Sequence, residues 1–164
     1  MLGTPQIVER AAQPYVAIKA FVTMQTLGQV LPALHPEVRA WLKRAGVPIA
    51  GDPFFKFNVI DMDHELEVEV GFPVPRIVPG DEVVLAGELP KGRYATMTHK
   101  GHPDGLVGAV EALRQWAASE GLDWDMTETP KGERWGARLE IYELEPLGDM
   151  DEWSTELAFR LADK

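Results

Sequence analysis

The 164 residues include no cysteine and carry a formal net charge of −10. Disulfides, thiolate nucleophiles and cysteine-held metals are thereby excluded, and so acidic a surface repels phosphate backbones, so no direct nucleic-acid partner is expected. The first ten residues are mixed and end in charges, and no apolar run is long enough for a bilayer, so a cytoplasmic protein with no membrane partner is expected.

From the amino end, residues 6–10 lead into an apolar strand at 15–22. A helix follows and ends at Gly46, with Val38, Leu42, Ala45 and Trp41 on its buried side. Pro36 suits a first helical turn, but Pro32 and Pro36 leave the start open as far back as Gly28. Strands are predicted at 54–60 and 65–72. In the second, Leu66, Val68, Val70 and Phe72 share one side, while Glu65, Glu67 and Glu69 form a solvated side. After a Val-Pro-Gly-Asp turn at 78–81 come strands at 82–87 and 93–99, split by Pro-Lys-Gly at 90–92. A second helix runs from Asp104, its expected cap, to Gly121, with Leu106, Val110, Leu113 and Ala117 at helical spacing. Past a turn at 130–133, strands at 137–144 and 155–161 close the chain.

This order repeats. Strand, helix, strand, strand occurs within 6–74 and again within 82–161, each with a lead-in segment. Trp41 to Gly46 and Trp116 to Gly121 share one spacing, and Glu69-Val-Gly-Phe72 aligns with Glu156-Leu-Ala-Phe159. The expected fold is α+β, a single domain of duplicated βαββ-type units. They should form one antiparallel sheet of about eight strands, with two helices on one face and a ligand cleft on the other.

Four motifs carry a family resemblance: Gly92-Arg-Tyr-Ala95 followed by Gly101, the helix with Trp116 and Gly121, Arg138-Leu-Glu-Ile-Tyr142 followed by Pro146, and Glu69-Val-Gly-Phe-Pro-Val74. In that order they resemble the GyrI-like (gyrase-inhibitor-like) small-molecule-binding domain, which also serves as the effector-binding domain of AraC-type and MerR-type multidrug regulators. No helix-turn-helix precedes the domain, so the resemblance is to a free-standing form. It implies binding of bulky aromatic, cationic small molecules, with Glu140 meeting the charge and Tyr142 beside it. Some free-standing members are similar to hydrolases that open the cyclopropane ring of DNA-alkylating natural products. An enzyme of that kind, with Glu140 and Tyr142 as its acid–base pair, is therefore an alternative to xenobiotic sequestration. An acidic inhibitor of a DNA-handling protein is a third reading.

The residues support the site independently. Strand alternation puts Glu140 and Tyr142 on one side of 137–144, and the matching strand aligns Phe55 with Glu140 and Phe57 with Tyr142. Aromatic faces around one carboxylate suit a flat delocalised cation. Trp135 and Tyr94 are further candidates for the lining. His99, His102 and Asp104 have the look of a metal half-site, but Asp104 reads better as a cap, so no metal and no cofactor are expected.

Overall fold

The computed structural model describes residues 2–146 and 148–164. The elements are β1 (Gln6–Arg10), β2 (Gln13–Val22), α1 (Leu27–Ala45), β3 (Phe54–Ile60), β4 (Leu66–Pro73), β5 (Leu85–Leu89), β6 (Gly92–Lys100), α2 (Leu106–Ser119), β7 (Met126–Thr129), β8 (Gly132–Trp135), β9 (Arg138–Ile141) and β10 (Ser154–Arg160). The ten strands form one sheet in the order β1-β6-β10-β9-β3-β4-β2-β5, and the β7–β8 hairpin joins the end of β3 at Val59 and Ile60. Among the described residues no helix is long and apolar enough to cross a membrane.

The sheet order is a palindrome once β2, α1, β3 and β4 are matched with β6, α2, β9 and β10. The registers make the match residue by residue: Ile18 faces Val70 as Met97 faces Leu157, and Val70 faces Phe55 as Leu157 faces Glu140. The lead strands are exchanged. β1 pairs with β6 of the second unit, and β5 pairs with β2 of the first. Each unit thus covers the open edge of the other, which removes the hazard of an unpaired strand.

Directly opposed residues in a sheet share a face. Ile18, Val70, Phe55, Glu140, Leu157 and Met97 therefore form one row across six strands. Both helices lie on this face. Leu31 of α1 and Leu106, Ala109 and Leu113 of α2 share one buried cluster with Val70, Leu157 and Met97. Val38 and Leu42 of α1 pack with Val16, Ile18 and Phe72. α1 rests on β2 and β4, and α2 on β6, so a gap remains above the central β3–β9 pair.

That gap corrects the expected cleft position. The cleft opens on the helix-bearing face, between the helices, and not on the opposite one. Leu139 turns away from the helices, where it packs with Tyr15, Phe54 and Tyr94, with Ile141 beside them. Part of the far face is enclosed rather than solvated. Glu69 is only 6% exposed and bonds the Tyr15 hydroxyl and Asn58, with Lys56 Nζ 3.5 Å away. The curl of the sheet encloses these groups, and they survive burial because they satisfy one another.

Other boundaries differ for local reasons. α1 begins at Leu27 and runs through both prolines. Pro32 and Pro36, spaced by four, fall on the cleft side with Gly28, where no neighbour crowds the rings. Burial of Leu31, Val38 and Leu42 on the other side offsets the two lost backbone hydrogen bonds. Asp104 is not the side-chain cap of α2. A short 3-10 helix (Pro103–Gly105) precedes α2, and His102 Nδ1 accepts from the Asp104 N–H at 3.0 Å. β9 stops at Ile141, short of the predicted residue 144.

Candidate functional site

The gap between α1 and α2 is a cleft of about 1140 Å³, ample for a drug-sized molecule. Its floor is the β3–β9 pair, its walls are the facing sides of the helices, and Met62 and Val107 stand exposed at its rim.

Glu140 reaches this floor because it alternates with Leu139 and Ile141, which take the other face. Its Oε1 accepts a hydrogen bond from the Tyr142 hydroxyl at 2.8 Å. The Tyr142 ring stands edge-on to Phe55, with centroids 5.0 Å apart at 62°. Phe55 in turn stacks on His35 of α1 at 5.0 Å and 9°. His35 Nε2 lies 3.2 Å from the Phe54 carbonyl, which assigns the hydrogen to Nε2 as the donor. Phe57 lines the same floor. The result is a connected aromatic surface with the Glu140 carboxylate set into it.

Burial governs the titration of this surface. Desolvation raises the Glu140 carboxyl above the ordinary carboxylate range, against the opposing pull of the Tyr142 hydrogen bond and of Arg138. Desolvation, with the Glu140 charge adding to it, also pushes the Tyr142 hydroxyl far up. His35 is lowered, chiefly by burial, so its imidazole is neutral at pH 7.

Of the residues singled out from sequence, Glu140, Tyr142, Phe55 and Phe57 come together in the cleft lining. Trp135 and Tyr94 do not join them. Trp135 packs behind the lining against Trp124 and Phe159, at 5.5 and 5.6 Å, and supports the Arg138 guanidinium 5.0 Å from its ring. Tyr94 lies on the far face and donates to the Pro90 carbonyl at 2.6 Å. His99 and His102 hold the turn before α2: His99 Nε2 lies 3.1 Å from the His102 carbonyl.

Among the lining residues that the sequence reading did not single out are His35, Arg138 and Trp153. Arg138 could have been found, since it precedes Glu140 by two and must share its side. His35 and Trp153 carried no such signal, because each reaches the cleft only through tertiary packing.

The chain belongs to the family of the GyrI-like small molecule binding domain, whose model matches residues 3–161. No curated protein sequence matches it. Among solved structures it is similar to the EcmrR C-terminal domain, at 19% identity and a TM-score of 0.74, with 100% of each chain covered. It spans 58% of the EcmrR chain in that protein's DNA complex. SAV2435 bound to tetraphenylphosphonium matches at 12% identity and a TM-score of 0.60, covering 97% of this chain and 94% of the other. A hydrolase from Listeria innocua matches at 14% identity and a TM-score of 0.62, covering 96% and 91%. At these identities the likeness is one of fold.

Proposed function

We propose that this chain captures bulky aromatic cations in the cleft between α1 and α2, with Glu140 as the counter-charge. The observation that carries the reading is the position of Glu140, in the centre of the cross-strand row and flanked by Phe55 and Leu157. A desolvated carboxylate held in an aromatic surface gains most from a partner that brings its own positive charge and little hydration. A lipophilic cation meets both conditions. The rings of Phe55, Phe57 and Tyr142 attract its faces, and the overall charge of −10 favours its approach. The tetraphenylphosphonium complex of SAV2435 supports the choice of ligand class. Xenobiotic sequestration is the biological role that follows.

The test is a titration of the protein with tetraphenylphosphonium and with its neutral isostere tetraphenylmethane or tetraphenylsilane, read by tryptophan fluorescence. The cation should bind at least about tenfold more tightly. Equal affinity for charged and neutral forms would remove Glu140 from the recognition.

A second reading rests on the 2.8 Å hydrogen bond between Tyr142 and Glu140. A carboxylate with a raised pKa, beside a hydroxyl, is a competent acid–base pair for adding water to a strained electrophile such as a cyclopropane. In that case Glu140→Gln and Tyr142→Phe lower the single-turnover rate of such a substrate at saturation, while Phe55→Ala loses binding as well. Stoichiometric uptake with no hydrated product leaves capture as the function.

A further inference from the structure

Arg138 precedes Glu140 by two residues on β9, so the two side chains leave the same face of the strand about 7 Å apart. Arg138 is only 5% exposed, yet it contributes to the cleft lining. Its guanidinium is fixed from behind, 5.0 Å from the Trp135 ring centre and 4.6 Å from that of Phe159. Among the described residues its one ion-pair partner is Glu133, whose Oε1 lies 3.8 Å from Nη1, beyond hydrogen-bond range. Among the described residues Nη1 has no hydrogen-bond partner.

Glu133 cannot close that distance without giving up other partners. Its Oε1 accepts from the Trp135 indole N–H at 3.3 Å, and its Oε2 from Arg114 of α2 at 3.4 Å. Arg114 also lines the cleft. Two guanidinium groups therefore share the Glu133 carboxylate, and Glu140, two residues along the strand, is the other acidic group that acts on Arg138. Burial lowers the Arg138 pKa to about 10, which still leaves the group charged at neutral pH. A buried guanidinium with its donors short of acceptors is an uncommon arrangement in a folded protein, and because Arg138 contributes to the cleft lining a ligand oxygen can supply one.

We propose that Arg138 forms a second polar subsite that receives an oxygen acceptor of the ligand, a carboxylate or a carbonyl, so that the preferred ligand is an aromatic cation bearing such an oxygen several ångströms from its charge. The proposal rests on the reading of the cleft as a cation site and adds specificity to it. Glu140 takes the cationic end and Arg138 the oxygen. The aromatic floor carries the rest.

Two phosphonium ions of matched size test it: pentyltriphenylphosphonium and (4-carboxybutyl)triphenylphosphonium, titrated against the unaltered protein. The carboxylate cancels the ligand's net charge and weakens its attraction to an acidic protein, so without an oxygen subsite the plain pentyl cation binds better. With the subsite, the carboxylated ion binds about tenfold more tightly. A preference for the pentyl compound, or none, overturns the proposal and leaves the cation site standing. Binding of neither compound removes both. Arg138→Met keeps the bulk packed against Trp135 and Phe159 and should invert the order. Retention of the original preference in that variant also overturns the proposal. Should Arg138→Met not fold, the comparison on the unaltered protein still decides.

Discussion

Glu140→Gln should weaken binding of a lipophilic cation by roughly 10- to 100-fold and, in the same protein, raise the stability of the unliganded state at neutral pH. The two effects have one cause. The Glu140 carboxyl has its pKa raised in the fold, so the folded state holds that proton more tightly than the unfolded chain does. Stability therefore falls as pH rises from the ordinary carboxylate pKa through the raised one. Glutamine removes the charge and keeps an oxygen to accept the Tyr142 hydroxyl. A gain of about 0.5–2 kcal/mol is expected, visible as a higher melting temperature. The pH dependence of binding has the same sign from two groups. On acidification Glu140 loses its negative charge and His35 of α1 gains a positive one, while Arg138 in the lining stays charged. Affinity for the cation should fall as the pH drops through the raised Glu140 pKa, and less steeply in Glu140→Gln. A variant that binds the cation as well as the parent, or melts lower at pH 7, would show that the carboxylate is not a desolvated charge waiting for a partner.

Gly71→Ala should destabilise the fold by about 2–3 kcal/mol or more, a large loss for one methyl group. A Cβ at this position would lie 2.5 Å from the Val16 carbonyl oxygen, 2.9 Å from Ala17 Cβ and 3.2 Å from the Phe54 ring. Two of these obstacles belong to β2 and one to β3, so β4 is held from both sides and cannot shift away. The matching position in the second unit is Ala158, which faces Leu139 and Thr96 and so lacks a ring across it. Urea unfolding should show a lower midpoint with an unchanged slope. A change within about 0.5 kcal/mol would mean that the packing of β2 against β4 is looser than these distances require.

Much of this architecture was legible from alternation and spacing. Phe55, Phe57, Glu140 and Tyr142 could be assigned to one side of their strands because side chains alternate strictly. Alternation does not say which side carries the helices. Here both sides are apolar: Phe54 and Leu139 are as hydrophobic as Phe55 and Phe57, so the pattern gave no polarity by which to orient the sheet. The solvated reading of Glu69 failed for a related reason. Its partners Tyr15, Asn58 and Lys56 lie on neighbouring strands, and only pairing brings them within reach. The β7–β8 hairpin was missed because Met126-Thr-Glu-Thr129 and Gly132-Glu-Arg-Trp135 hold too few apolar residues to alternate. The start of α1 was hidden by prolines whose cost is offset only by packing in the finished fold.

The palindromic strand order has a consequence for ancestry. Exchanged edge strands are what a domain-swapped homodimer leaves behind when its two chains are fused, and in such a dimer the twofold axis would run between β3 and its own copy. The registers put that axis between Phe55 and Glu140. In a symmetric ancestor one residue type would have faced itself there: two carboxylates side by side, repelling and sharing a proton, or two phenyl rings with no charge between them. Neither arrangement offers a cation both a ring and an ionised partner at the same point. A fused chain is free of the requirement that both halves mutate together, and in this chain the two matched positions at the axis hold an aromatic, Phe55, and an acid, Glu140.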